Sequence, residues 1–568
     1  MFPQKEALVV ESGKLTAVDL FSGAGGLSLG FLQTGQVKII AAVENNVSAQ
    51  QTYVTNHPEV KMYGDIRNVD YNQILDECKS IGQGKVNIVF GGPPCQGFSN
   101  ANRQKAALIS ANNQLVKEYV KAIEQLQPDA FVMENVKELK SNKHKFFLAE
   151  QDESEVRTLG LNPTDEKVSL GEVKALNDEL LAFLNDPFRV SMPEYELKDR
   201  VLFSKLSHLN RKKKEAAVYL NKIRPALKGY FSNWEEQHQY YWSTEYRKKW
   251  IILGNLLEDS NSSTEDIYSC LNEVISIQQV IMRVGEIETN RLEFGSFYRE
   301  NNEILVELKT YVVLDYLISK FESLGYQLNK ESFILNSANF GAPQQRERLF
   351  LMGVRQEIVG EEKIQLPNAI IENPTNFYTV KDAIEDLEHV KPLVIMEEDR
   401  PLLKTKMEYP NPLLTYLQAG MPDVRNHIMT DTRATAMQRF EVLQPGQNFH
   451  HLDESFKHTY SNPNRTQNTV YLRLKYDAPS GTVLNARKSM WIHPVQNRAV
   501  SIREAARLQT FPDDFIFIGA KDAQYQQVGN AVPPLLGRAV ADQLLAYLGH
   551  TPDHSLKDII LPVELADL

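Results

Sequence analysis

Leu15-Thr16-Ala17-Val18-Asp19-Leu20 runs without a break into Phe21-Ser22-Gly23-Ala24-Gly25-Gly26, and Leu27 to Leu32 follow as the opening of a helix. A short apolar run closed by glycines reads as a buried strand of the parallel kind. Glycines at a strand-to-helix turn let the backbone come close to a ligand and take dihedrals that a side chain forbids. Alone, such a turn is equally often only a tight turn. Further apolar runs at Lys38 to Val43, Val86 to Phe90 and Asp129 to Met133, each separated by helical patterns, extend the alternation. It predicts an α/β fold with a doubly wound, mostly parallel sheet.

Working outward, the turn has company. Glu44 ends the next predicted strand, about 20 residues on, where a carboxylate accepts hydrogen bonds from ribose hydroxyls. Asp65, in Gly64-Asp65-Ile66, follows a third strand and suits an adenine amino group, or, taken singly, a helix cap. The three positions outline a nucleoside pocket at the carboxyl edge of the sheet, fitting either a dinucleotide or S-adenosylmethionine.

The segment Val86-Asn87-Ile88-Val89-Phe90-Gly91-Gly92-Pro93-Pro94-Cys95-Gln96-Gly97-Phe98-Ser99 separates those two. Its prolines stiffen the chain after a buried strand and its glycines permit a sharp loop, so Cys95 is presented on a constrained element. An unpaired cysteine is usually a small buried apolar residue, and Cys78 and Cys270 are read so. Cys95 is read as a nucleophile. A further strand, Ala130-Phe131-Val132-Met133, ends in Glu134-Asn135-Val136. Glu134 sits at the end of a strand expected beside that of Cys95, and burial there raises its pKa and keeps it protonated near neutral pH.

With these segments in view, the chain resembles the cytosine-5 DNA methyltransferase family. The family's motifs stand in order as Phe21 to Gly26, Pro93-Pro94-Cys95-Gln96, Glu134-Asn135-Val136, Gln344-Gln345-Arg346-Glu347-Arg348, Arg503-Glu504-Ala505-Ala506-Arg507-Leu508-Gln509 with Phe511-Pro512, and Gln527-Val528-Gly529-Asn530-Ala531-Val532-Pro533-Pro534. The resemblance covers about residues 15 to 140, 310 to 355 and 471 to 548. It implies S-adenosylmethionine as cofactor and a cytosine flipped out of duplex DNA as substrate. It makes Cys95 attack C6 while Glu134 donates to N3, with Arg346 and Arg348 helping to hold the flipped base and to orient Glu134 or the nearby phosphate. Phe21, Gly23, Gly25, Gly26, Glu44, Asp65 and Ile66 are the implied cofactor contacts of the first half. Pro93, Leu115, Asn530 and Val532 complete that wall. Asn45 follows Glu44 where some members carry an aromatic ring, so adenine stacking falls to other apolar side chains.

Residues 1–140 are thus expected to form the catalytic domain with cofactor and nucleophile motifs, 141–310 a helical insertion, and 311–355 the catalytic domain resumed. The insertion includes the charged stretches Arg200 to Lys228 and Asp266 to Leu308. Residues 356–470, loop-rich, are expected to be a smaller target-recognition domain, and 471–568 the catalytic part that closes the cofactor site. In 356–470, Asn426-His427, Arg433, Arg439 and Asn448-Phe449-His450 are candidates for reading base edges.

The remaining features bound the reading. The formal charge of -11 argues weakly against nucleic acid, yet binding follows the local field, and Arg211-Lys212-Lys213-Lys214 is a basic run, more often a solvated helix face. Three widely spaced cysteines make neither a disulfide framework nor a zinc site, so no metal is expected. Without a secretory signal or a run of about 18 apolar residues, a cytoplasmic, non-membrane protein is expected. The family habit adds a monomer with a cognate restriction endonuclease. A transfer-RNA methyltransferase of the same family is the nearest rival, and Gly97-Phe98-Ser99 with the long second domain favours DNA. A catalytically silent relative is disfavoured by Cys95, Glu134, Arg346 and Arg348, and a nicotinamide oxidoreductase by a loop that has no part in hydride transfer.

Overall fold

The computed structural model describes residues 13–94, 111–211, 216–231, 241–259, 261–460 and 462–562. Cys95 and the Gln96 to Ser99 segment lie outside the described residues, as do Lys212, Lys213 and Lys214. The chain divides into two compact units, one of residues 1–95, 114–140 and 320–568, the other of 96–113 and 141–319.

The first unit is built on an eight-stranded sheet. Its strands are β1 (Leu15–Leu20), β2 (Val37–Val43), β3 (Lys61–Tyr63), β4 (Ile88–Gly91) and β5 (Ala130–Val136), then β10 (Tyr326–Leu328), β11 (Ile334–Asn336) and β12 (Glu347–Arg355), the numbers between belonging to the second unit. The order is β10-β12-β5-β4-β1-β2-β3, with β11 also on β12. β1 to β5 pair in parallel, and β12 closes antiparallel on β5. β1 is buried on both faces, and the one charged side chain in it, Asp19, accepts a hydrogen bond from Ser28. The strand order reverses between β1 and β4, which puts a crevice at their carboxyl ends, where α/β sheets bind ligands.

Helix Gly26–Leu32 packs on helix Pro534–Tyr547, and a Cβ at Gly30 would lie 2.5 Å from the backbone nitrogen of Arg538. Only glycine permits that approach. Phe31 stacks on Phe90 with ring centroids 4.2 Å apart, joining this layer to β4. Ile364, Phe377, Val380, Leu413, Leu417 and Ile428 belong to the same apolar core as Ala17, Ile88, Val132 and Phe350, so the first part of 356–470 is continuous with the sheet's packing. A small second core gathers Ala436, Phe440, Leu443, Phe449, Leu452 and Tyr471 with Ile492 and Ala499.

The second unit is not purely helical. It contains a four-stranded antiparallel sheet of β6 (Lys145–Phe147), β7 (Thr164–Glu172), β8 (Tyr298–Glu300) and β9 (Glu303–Val312), with β9 central. The helix expected from Asp266 to Leu308 ends at Thr289. From Val306 to Thr310 buried and exposed residues alternate, a period of two that charged Glu307 and Lys309 disguise as a helix surface. Leu206, Leu227, Trp250, Leu253, Ile275 and Ile281 fill the core of its helices.

Candidate functional site

The turn after β1 bends as its glycines allow. Gly23 and Gly25 have φ of 55° and 94°, and Phe21, with φ 58°, accepts the left-handed region that disfavours a bulky side chain. The Gly23 amide donates to Glu44 Oε2 at 2.9 Å, and the Asn46 amide to Oε1 at 2.6 Å. Glu44 therefore stands beside the turn, each oxygen keeping a lone pair for a further donor. A Cβ placed on Gly23 would meet nothing within 4 Å, so this side of the turn faces open space. On Gly26 it would lie 2.3 Å from the Val532 carbonyl oxygen and 3.1 Å from the Phe511 ring. Gly26 and Val532 thus close on each other, and the Phe511 ring packs against the same turn.

Other expected cofactor residues are more scattered. Ile66 is buried, and Asp65 caps the 3-10 turn Ile66–Asn68. Its carboxylate also pairs with Arg67, whose hydrogen bonds hold it below the ordinary carboxylate range. Leu115 is half-buried on helix Ala111–Leu126. Asn530 ends helix Lys521–Asn530, exposed, and accepts a hydrogen bond from Gln526 Nε2 at 2.6 Å.

The second half of the site grows from β4 and β5. Gly91 is registered against Leu20, and a Cβ there would lie 1.9 Å from the Leu20 carbonyl oxygen, so the chain entering the Pro93-Pro94 loop touches the end of β1. A Cβ on Gly92 would lie 2.6 Å from Glu134 Oε2. The buried Asn135 amide donates to the Pro93 carbonyl at 2.9 Å. Nothing in the sequence around Asn135 signals this bond, because its partner is 42 residues away. Two adjacent residues of β5 thereby hold the approach to Cys95, one by contact and one by a hydrogen bond.

β12 supplies the counter-charge. Phe350 faces Glu134 and Arg348 faces Val136 across the antiparallel ladder, which puts Arg348 diagonal to Glu134 on one face. Arg348 Nε lies 3.0 Å from Glu134 Oε1, both side chains being largely buried. Burial pushes the Glu134 carboxyl above its usual range, against the opposing pull of Arg348 and then Arg346. Arg346 is only 1% exposed. It donates to the carbonyls of Val483 and Gly529, at 2.9 and 3.2 Å, while its Nε finds no partner among the described residues. Burial, reinforced by Arg348, brings its guanidinium down to about 9.

The profile of the family described as C-5 cytosine-specific DNA methylase matches residues 15–154 and 295–546. The chain belongs to this family. It is a DNA cytosine-5 methyltransferase, an enzyme that adds a methyl group to C5 of cytosine in DNA. Among its relatives, the type II methyltransferase M.AgeI of Thalassovita gelatinovora is 27% identical, over 93% of this chain and 99% of its own. M.XorII of Xanthomonas oryzae pv. oryzae is 24% identical, over 94% of this chain and 86% of its own. A solved structure described as a DNA modification methyltransferase encoded within a prophage (E. coli) superposes with a TM-score of 0.50 at 17% identity, covering 94% of this chain and all of that one, a likeness of fold.

In this methyltransferase the motif around Arg503 is internal scaffolding. Arg503 donates to the carbonyls of Arg425, Pro512 and Phe515. Arg507 is clamped between Asp386 and Asp513, and Glu504 receives both arms of Arg498. Four of the residues expected to read bases are also internal. Asn426, in the left-handed region at φ 58°, bonds the Phe517 backbone. His427 joins Val390 to Ser501. Arg439 bonds Phe456, Thr459 and Tyr471, and Phe449 lies in the small second core. A polar side chain with all its donors committed inside the protein has none left for a base edge. Arg433 and His450 are exposed. No helix among the described residues is long and apolar enough to cross a membrane, and no cluster of His, Cys, Asp and Glu among them could hold a metal.

Proposed function

We propose that Cys95 is the nucleophile and Glu134 the acid of this methyltransferase, with S-adenosylmethionine as methyl donor. The observation that carries the proposal is Glu134: a carboxyl raised by burial, held by Arg348, and touching Gly92 three residues before Cys95. Addition of the Cys95 thiolate to C6 of cytosine pushes charge toward N3, where a protonated Glu134 donates its hydrogen. Carbon 5 thereby becomes electron-rich and reactive toward an electrophilic methyl group. After transfer, loss of the C5 proton and departure of the Cys95 sulfur restore the aromatic ring. Arg348 acts as a positioning residue by fixing the Glu134 carboxyl, and Arg346 by tying together the carbonyls of Val483 and Gly529 while adding positive charge nearby.

The residues around the first turn fit the cofactor. Gly23 faces open space beside the Glu44 carboxylate, a cradle for a ribose with its hydroxyls toward Glu44. Phe21, Gly25, Gly26 and Val532 line the approach, with Ile66, Pro93, Leu115 and Asn530 as further contacts. Asp65 serves as adenine acceptor once it shares its oxygens with Arg67. When bound, S-adenosylmethionine supplies the electrophilic methyl group.

The relatives named type II methyltransferases support a role as the modification enzyme of a restriction-modification system, paired with a cognate endonuclease. Target choice is assigned to 356–470, through exposed side chains such as Arg433 and His450. The test is the covalent step. Cys95→Ser should abolish methyl transfer with cofactor affinity kept, because a hydroxyl is a far weaker nucleophile than a partly ionised thiol. The wild-type protein should form a stable adduct with 5-fluorocytosine duplex, where C5 cannot lose its substituent as a proton. Turnover by Cys95→Ser, or an active enzyme that leaves no adduct, would refute the assignment.

A further inference from the structure

The second unit carries a concentration of positive charge that the methyl-transfer chemistry does not use. Between residues 200 and 228 stand nine basic residues, Arg200, Lys205, Arg211, Lys212, Lys213, Lys214, Lys222, Arg224 and Lys228, against one acidic residue, Glu215. In a chain of net charge -11 this stretch contributes +8, so the remainder carries -19. A field of that sign repels a polyanion, and a local basic patch is the means by which an acidic protein still attracts one.

The described part of the stretch is two helices, Arg200–Arg211 and Ala216–Phe231, packed against each other. The His208 and Tyr219 rings lie 4.6 Å apart, and Lys205 Nζ sits 5.1 Å from the Tyr230 ring centroid. Leu206, Leu209, Leu220 and Leu227 turn into the core of the unit. The pair is therefore held as one surface. Two of its cations are spoken for: Arg200 pairs with Glu196 at 2.8 Å, and Arg224 donates to the Asp259 carbonyl at 3.0 Å. Arg211, Lys222 and Lys228 are exposed and Lys205 is half-exposed. Among the described residues none of these four has a carboxylate within ion-pair distance. The two helices thus present four cations with no carboxylate partner among the described residues.

We propose that this helical hairpin is a docking surface for the phosphate backbone of duplex DNA, giving the methyltransferase sequence-independent affinity. The proposal rests on DNA being the substrate, and it assigns the hairpin to phosphate rather than to base reading. A helix of 16 residues spans about 24 Å, and duplex DNA presents one charge per about 1.7 Å of axis, so several phosphates face a surface of that length. Lysine binds phosphate as a point charge and arginine as a two-pronged donor, so both residue types of this surface suit such contacts.

The experiment uses the full chain carrying Lys205→Gln, Arg211→Gln, Lys222→Gln and Lys228→Gln together, with duplex binding followed by fluorescence anisotropy across salt concentrations. Each lost phosphate contact lowers the slope of log affinity against log salt by about 0.9, so between about 50 and 200 mM salt the wild-type affinity should fall about 3.5-fold further per contact than that of the variant. The cytosine methylated should not change, and the rate at saturating DNA should stay near wild type. A charge-preserving variant, with the three lysines made arginine and Arg211→Lys, should keep the wild-type slope, and circular dichroism reads whether each variant keeps its helices. An unchanged affinity and slope in the glutamine variant overturns the proposal and leaves the hairpin to an acidic protein. A slope lost equally in the charge-preserving variant also overturns it, by showing that packing rather than charge was removed. Failure of the methyltransferase chemistry itself would look different: the wild-type protein would not methylate DNA at any salt concentration.

Discussion

Gly92→Ala is a single methyl group aimed at Glu134, the proposed acid. Gly92 has an ordinary backbone conformation, so alanine brings no dihedral strain, and the added Cβ would lie 2.6 Å from Glu134 Oε2. Carbon and oxygen without a strong bond rest about 3.3 to 3.6 Å apart, so the carboxyl must retreat by about 0.7 to 1.0 Å. A free glutamate would simply rotate. Glu134 is held from the other side by Arg348 Nε at 3.0 Å, so the retreat either breaks that pair or carries the carboxyl away from Gly92 and the chain that leads to Cys95. Misplacement by about 1 Å costs roughly a hundredfold, within the 10²- to 10⁴-fold that a general acid contributes. The expected loss in kcat is about a hundredfold, or about 2.7 kcal/mol in the barrier. The assay is single-turnover methyl transfer at saturating DNA, with the melting temperature followed by calorimetry. On a Glu134→Gln background the same change should cost little more, since both act through one group. A Gly92→Ala rate within threefold of wild type, or a full extra hundredfold on that background, would refute this account of the contact.

Two further outcomes follow from the electrostatics. Glu134 must be protonated to donate, so the rate should fall as pH rises through its raised pKa; Arg348→Ala removes the chief charge pulling that pKa down and should move this alkaline limb to higher pH while lowering the maximum, with a limb that moves the other way counting against the pairing. Asp513 is pushed up by burial but held at about 2 by Arg507, Arg503 and Lys404, so its contribution to stability is complete above the unfolded carboxylate value of about 3.9 and is lost between about pH 4 and pH 2; Asp513→Asn should cost about 3 to 5 kcal/mol at neutral pH and flatten that acid limb in calorimetry, and an unchanged limb would exclude Asp513 as its source.

The parts of the fold legible in the sequence are those whose cause is local. β1 and its turn announce themselves in twelve consecutive residues because a doubly buried strand is mostly apolar, Thr16 and Asp19 here excepted, and a left-handed turn favours glycine. The apolar run Leu349 to Val354 marks β12 for the same reason, although nothing local to it reveals the antiparallel pairing with β5. β9 was missed because Glu307 and Lys309 on its exposed face imitate a charged helix, and only Val306, Leu308 and Thr310 facing inward reveal the period of two. The continuity of residues 364–428 with the sheet's core was hidden in short irregular elements that carry no periodicity to read.

Side-chain roles divide along the same line. Glu134 could be placed from the end of its strand, but the burial that raises its carboxyl and the Gly92 and Arg348 that fix its position, 42 and 214 residues away, come from the fold. Asn426, His427 and Arg439 show the opposite case: polar residues in a loop-rich stretch look available to DNA until their partners are known, and then their donors prove to be spent within the protein. The Arg503 motif sharpens the point. Its order in the chain marks the family as clearly as the Pro93-Pro94-Cys95 loop does, yet Arg503, Glu504 and Arg507 are wholly buried and bonded inward. A motif records that a residue cannot change, and a buried charge whose partners are fixed is as intolerant of change as a group that touches substrate. Chemistry is therefore distinguished from scaffolding by a donor, acceptor or charge left uncommitted. In the described part of the site that distinction points to Arg346, whose Nε has no partner among the described residues, to Glu134, whose raised carboxyl Arg348 only partly offsets, and to the open face of Gly23 beside Glu44.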